Sequence, residues 1–203
     1  MRKGKISIIC MILVLVFIII SLIGPWYETL SGTNGVYLSL TSSTTTFDGI
    51  TETISNADAR KTAETNPGAD LSILDIIDIT LYLVIFVLII AILTMVFLLG
   101  YLFNFGKTRM MKNLTMIFGV ITFILALTAV FYFMVALSSK INTFSIIKDV
   151  GFWYSNIIGG ISVSMGPGFA WYLLFIAGVI VLISVIFVFM DKQAEFVSQN
   201  PSL

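Results

Sequence analysis

Four long apolar runs restrict this chain more than any motif in it. Ile6–Ile23 is interrupted only by Ser7, Cys10 and Ser21, and Ile76–Phe105 only by Asp78 near its start and Asn104 near its end apart from mild hydroxyl-bearing residues. Leu114–Leu137 and Phe169–Met190 complete the set. About 20 apolar residues in a helix cross the hydrocarbon of a bilayer. Lipid offers a bare backbone no hydrogen bonds, so such runs must close their hydrogen bonds within themselves. The runs show no alternation with a period of two, which excludes the strands of a membrane barrel. Four transmembrane helices are therefore expected, over 6–23, 76–105, 114–137 and 169–190. Composition agrees: 58% of the 203 residues are hydrophobic and 11% are charged, against about 25% charged in ordinary soluble domains. No small-x-small cleavage pattern follows the first run, so it reads as a retained helix rather than a signal peptide.

The distribution of charge predicts an orientation. Arg2, Lys3 and Lys5 precede the first run, and Lys107, Arg109 and Lys112 fill the short link 106–113. The two longer connections, 24–75 and 138–168, carry Arg60, Lys61, Lys140 and Lys148 over far more residues. Basic residues concentrate on the cytoplasmic side of short loops, so both termini and the 106–113 link are expected in the cytoplasm, within a plasma membrane. Glu28, Asp48, Glu52, Asp58, Glu64 and Asp70 make the first outer segment acidic. All three tryptophans occur in pairs, Trp26-Tyr27, Trp153-Tyr154 and Trp171-Tyr172, each on the outer side in this layout. The first and third pairs are expected at the headgroup level, where amphipathic rings settle.

The outer segments are too long for bare loops. Val36–Leu40 and Thr44–Phe47 are rich in β-branched and aromatic residues, and Asp48-Gly49 predicts a tight hairpin to Ile50–Ile54. Residues 55–70 read as a short helix or loop. In the second segment, Ile141, Phe144, Ile147 and Val150 extend the third helix as an apolar stripe. Gly159-Gly160 then breaks the chain before a short strand at Ile161–Ser164. The fold class that follows is an all-α membrane protein, a single four-helix bundle with a small extracellular antiparallel sheet drawn from both outer segments.

Chemistry is scarce. There is no histidine, so the commonest general base and transition-metal ligand is missing. The single cysteine, Cys10, excludes an internal disulfide. No phosphate-binding glycine loop, Ser-x-x-Lys, HExxH or CxxC motif occurs. A non-enzymatic protein without cofactor, metal or nucleic-acid partner is expected. Asp75 and Asp78 share one helix face at spacing i, i+3 and form a possible ion or partner site at the outer start of the second helix. Their alternative role is to complement the positive end of the helix dipole. Gly119, Thr122, Ala126, Ala129 and Ala136 form one small-residue stripe, and Ala170, Ala177 and Ser184 another. Such stripes let helix backbones approach in lipid, within the bundle or against a partner membrane protein.

In layout the chain resembles the claudin and peripheral-myelin-protein group of tetraspan membrane proteins. The likeness rests on the basic N-terminus, the exit from the first helix at Pro25-Trp26-Tyr27, and the outer segment of similar length. The basic inner link, Phe152-Trp153-Tyr154, and the run from Gly166 to Tyr172 follow in the same order. Members of that group carry Gly-Leu-Trp followed by two cysteines in the first outer segment. Here Phe47-Asp48-Gly49-Ile50 stands in a comparable place, without cysteine. The resemblance implies a left-handed bundle bearing an outer sheet, and roles at cell-cell junctions or in modulating channels. A structural, adhesive or accessory subunit, binding other membrane proteins or itself, is the first expectation. A small transporter or channel component using Asp75 and Asp78 is the alternative.

Overall fold

A computed structural model describes residues 3–66, 70–105, 108–144, 152–158 and 160–191. Four helices among them are long and apolar enough to cross a membrane. They are α1 (Lys3–Ile23), α3 (Ser72–Leu102), α4 (Thr108–Phe144) and α5 (Phe169–Phe189), with a short polar α2 (Asn56–Glu64) between α1 and α3. Six strands complete the fold: β1 (Pro25–Ser31), β2 (Asn34–Ser39), β3 (Ser42–Phe47), β4 (Ile50–Ser55), β5 (Tyr154–Ile158) and β6 (Ile161–Pro167). They form one antiparallel sheet in the order β4-β3-β2-β1-β6-β5. Both long connections, 24–75 and 138–168, thus contribute to the sheet, as expected.

Several boundaries differ from the sequence reading. At 1.5 Å per residue, α3 and α4 are about 46 and 55 Å long, well beyond a hydrocarbon core of about 30 Å. Hydrogen bonding, not hydropathy, sets the C-terminal end of α3. α3 begins at Ser72 rather than Ile76, which brings Asp75 into its first turn. It stops at Leu102 because Asn104 adopts a left-handed φ of 57°. Asn104 N–H donates to Tyr101 O (3.4 Å) and Phe105 N–H to Gly100 O (2.9 Å), the paired bonds of a Schellman cap. α4 continues past Leu137 to Phe144; Ile147 and Val150 of the expected stripe lie outside the described residues, as does Gly159.

The described residues divide into two compact units. One is built around Ile85–Leu127, with α1 up to Ile19 and α5 from Phe175. Its interior joins Met11, Val14 and Ile18 of α1, Ala91 and Leu98 of α3, Ala126 of α4, and Ala177, Val181 and Val188 of α5. Polar residues here are spent on helix pairs. Ser7 Oγ donates to Ser184 O (3.2 Å) while Ser184 Oγ donates to Ser7 O (3.3 Å), a reciprocal bridge between α1 and α5. Thr94 and Thr122 meet at 3.3 Å between α3 and α4, each also bonded to its own helix at Ile90 O and Phe118 O. Lys112 Nζ caps the end of α5, donating to Phe189 O (3.2 Å) and Asp191 O (2.7 Å). The outward positions, among them Ile12, Phe86, Ile124 and Ile183, are exposed and apolar, the pattern of helices hydrophobic all round.

The second unit comprises Ile20–Val84 and Thr128–Leu174 and holds the sheet. The β3–β4 hairpin turns at Asp48 (φ 48°) and Gly49 (φ 80°), the two left-handed residues that a type I′ turn requires. Below the sheet lies an aromatic core: Trp26 meets Phe133 edge-on at 5.2 Å, and Phe152 contacts Tyr27 (5.3 Å), Phe133 (6.3 Å) and Trp171 (6.0 Å). Strand β1 and the start of α5 approach until no side chain fits between them. A methyl group on Gly168 would lie 2.2 Å from Pro25 O, and Gly168 N–H donates to Trp26 O at 2.9 Å. Replacing Gly168 with Ala should therefore destabilise the protein by about 1–3 kcal/mol, the usual range for overpacking. Gly100→Ala, whose methyl would meet only the flexible Met111 side chain, Sδ at 3.4 Å and Cγ at 3.7 Å, should be neutral or stabilising because alanine favours the helix. Thermal unfolding in detergent, read by circular dichroism, checks both.

Candidate functional site

The two aspartates predicted as a site do come together, and an arginine joins them. Arg60 Nη2 donates to Asp75 Oδ1 at 2.8 Å and to Asp78 Oδ2 at 2.7 Å. The Asp75 hydrogen bond is the main reason that the Arg60 guanidinium is held above its ordinary value, with Asp78 adding to it. This contact depends on α2. Ser55 opens that helix as its N-cap: its hydroxyl accepts from Asp58 N–H (3.1 Å) and donates to Asp58 Oδ2 (2.7 Å). Asn56, buried, fixes the other side by donating to Ser39 O (3.1 Å), while its own N–H bonds Thr41 O (3.0 Å). Four residues after Asn56, just over one helical turn, Arg60 reaches the start of α3. An ion pair this accessible adds little stability; what it supplies is position. It ties the polar helix to the first turns of α3 and engages one oxygen of each carboxylate.

Arg60 escaped the sequence reading because its role depends on where α2 lies. A local signal was present: Ser55-x-x-Asp58 is a helix-start pattern, and it would have favoured helix over loop for residues 56–64.

The small-residue stripes face protein. Gly119, Thr122, Ala126 and Ala129 are buried on α4 and Ala170, Ala177 and Ser184 on α5, whereas Ala136 is half-buried. In the helical unit, a methyl on Gly119 would come within 2.3 Å of Val185 Cγ2, and one on Gly178 within 3.3 Å of Ala126 Cβ. These distances mark the contact of α4 with α5.

The aromatic pairs divide between buried and exposed positions. Trp26 is fully buried, its Nε1 donating to Ser21 O at 2.6 Å, and Trp171 Nε1 donates to Val130 O at 3.1 Å. Tyr27 is buried in the sheet, where desolvation pushes its phenol up to about 12. These residues pack the aromatic core, because an indole at a helix end can satisfy its N–H on a carbonyl as well as on a headgroup. Trp153 and Tyr172 remain open, with 55% and 44% of their surfaces exposed; Tyr154 lies half-buried on β5.

The alternation of β1 sends its side chains to opposite sheet faces, and a groove lies on each. Tyr27 and Thr29 border an apolar groove of about 300 Å³ with Leu38, Leu137 and Ile141. Glu28 and Leu30 border one of about 250 Å³ with Trp153, Gly166 and Tyr172. Among the described residues, no group of three or more His, Cys, Asp or Glu side chains is placed to hold a metal ion. No protein-family model matches the chain, and no curated protein matches it.

The geometry of α2 makes its attachment testable. Arg60→Gln should raise amide exchange across Asn56–Glu64 while leaving exchange in α5 unchanged. Acid should act through Asp58, whose carboxyl is held below the ordinary range first by the Ser55 hydroxyl and then by Lys61. A folded value below the unfolded one stabilises fully above about pH 3.9, and the contribution disappears as pH falls through the lower folded value. Protection of α2 at neutral pH should therefore fade below about pH 4, and Ser55→Ala should reproduce part of that loss at pH 7.

Proposed function

We propose that this chain is a non-enzymatic multi-pass protein of the cell membrane, with both termini cytoplasmic and the sheet outside. It works as a structural, adhesive or accessory subunit by binding other membrane proteins or a second copy of itself. The observation that carries this reading is the exposed edge strand β4, the outer strand of the β3–β4 hairpin. All six residues of β4 are exposed, and β4 forms one edge of the sheet. An unpaired edge presents a row of backbone donors and acceptors that another chain can extend.

The hairpin is also two-faced. Phe47 stands opposite Ile50 in the ladder, and with Ile54, two positions apart on each step from Ile50, they fall on one face. Phe47 is 62%, Ile50 68% and Ile54 50% exposed. The other face carries paired hydroxyls, Thr44 with Thr53 at 3.0 Å and Thr46 with Thr51 at 3.1 Å. Large apolar side chains beside an open edge favour a protein partner. The likeness of layout to the claudin group supports the same class of role.

A transporter or channel component using Asp75 and Asp78 has less support, because Arg60 already occupies an oxygen of each carboxylate. Purification in mild detergent from the native membrane distinguishes the readings. A complex of fixed stoichiometry is expected, and Ile50→Lys with Ile54→Lys should dissolve it, whereas Thr53→Lys on the hydroxyl face should weaken it less. Persistence of the complex in the Ile50/Ile54 variant, with the fold intact, would exclude this hairpin as the contact. A flux that disappears in Asp75→Asn/Asp78→Asn while the complex persists would favour transport.

A further inference from the structure

The groove beside Glu28 has the chemistry of a cation site. Glu28 of β1 stands directly opposite Gly166 of β6, and residues so paired project to the same face, their Cβ positions about 5 Å apart. Gly166 has no side chain, and the indole of Trp153 lies over it: a methyl group there would meet Trp153 Cδ1 at 3.6 Å. The carboxylate-bearing strand and the indole therefore share one face at neighbouring positions. Tyr172 closes the same groove. Both exposed rings are braced by buried Trp171, which meets Trp153 edge-on at 6.0 Å and Tyr172 at 5.1 Å; Phe152 supports Trp153 from another side at 4.9 Å. No ion pair joins Glu28 to a basic side chain among the described residues.

We propose that Glu28, Trp153 and Tyr172 form a binding site for an ammonium group. Aromatic faces attract cations through the ring quadrupole, indole most strongly, and quaternary ammonium groups are the usual guests of such cages. The carboxylate supplies the counter-charge, and bracing by Trp171 and Phe152 holds the rings in place before the ligand arrives. At about 250 Å³ the groove falls just below the range for drug-sized ligands, which suits a headgroup rather than a large molecule. The ammonium group can come from a choline-type or ethanolamine-type lipid headgroup, or from a free amine. This inference is independent of the hairpin contact and involves a different part of the sheet.

Saturation-transfer NMR on the whole protein in maltoside micelles, which carry no ammonium group, tests the site with tetramethylammonium chloride against a sodium chloride blank. Saturable transfer to the methyl groups is expected. Glu28→Gln should weaken it by about tenfold, Trp153→Leu by a similar factor, and Trp153→Phe by less, since phenyl is the weaker cation acceptor. Absence of saturable binding overturns the proposal, as does equal binding by Glu28→Gln protein with an unchanged unfolding midpoint. If one variant misfolds, Tyr172→Leu reads the same site from α5. Repetition in nanodiscs separates the sources. Tetramethylammonium binding in phosphatidylglycerol discs that is lost in phosphatidylcholine discs supports a lipid headgroup as occupant; equal binding in both supports a free amine.

Discussion

The pairing of β1 with β6 is the constraint on which the sheet depends. It joins two segments far apart in the chain, and the single cysteine rules out a disulfide to hold them. Backbone hydrogen bonds and burial must do this alone. The ladder runs from Tyr27 opposite Pro167 to Ser31 opposite Val163, and it is locked at one end where Gly168 N–H reaches Trp26 O. That end permits no side chain at position 168, and beneath it Trp26 and Phe152 each meet Phe133 edge to face while Phe152 lies tilted against Trp171. Aromatic pairs of this kind add about 0.5–1.5 kcal/mol each beyond the area they bury. Closing a loop that long costs only slowly more entropy with length, so a few such contacts suffice to hold the junction.

From that junction the sheet grows in two directions with different character. Towards β2, β3 and β4 it follows local hairpins and ends on an exposed edge with an apolar face. Towards β5 it places Trp153 beside Glu28. The two proposed interactions, with a protein and with an ammonium group, thus sit on different parts of one sheet, the first at the β4 edge and the second across β1 and β6. Glu28 and Tyr27, adjacent in sequence, serve its opposite faces: one borders the cation groove, the other packs the aromatic core.

What could be read from the sequence follows the range of the interactions involved. The four helical runs were legible because long apolar runs without a period of two leave a membrane-crossing backbone only the helix. The β3–β4 hairpin was legible because Asp48-Gly49 encodes its own turn and the flanking residues suit strands. Strand β1 was not, since Pro25-Trp26-Tyr27 at a helix end carries an equally good signal for a membrane interface. Its strand character comes from β2 and β6, the latter more than a hundred residues away. The same holds for β5, where Tyr154–Ile158 has no alternation of its own. Asp75 and Asp78 were found as a pair by their i, i+3 spacing, but Arg60 was missed because nothing local says that α2 folds back towards α3. The burial of Trp26 and Trp171 was missed for a related reason: an indole N–H takes a carbonyl as readily as a headgroup, and the sequence does not say which is near.

The proposed role places the sheet outside the membrane and the link between α3 and α4 inside. Single-cysteine labelling tests it directly. In a Cys10→Ser background, Thr53→Cys on β4, Asn156→Cys on β5 and Asn113→Cys near the start of α4 are treated with a membrane-impermeant maleimide. Positions 53 and 156 should be labelled in intact cells, and position 113 only after permeabilisation. Labelling of position 113 in intact cells, or protection of position 53 until the membrane is opened, would contradict it.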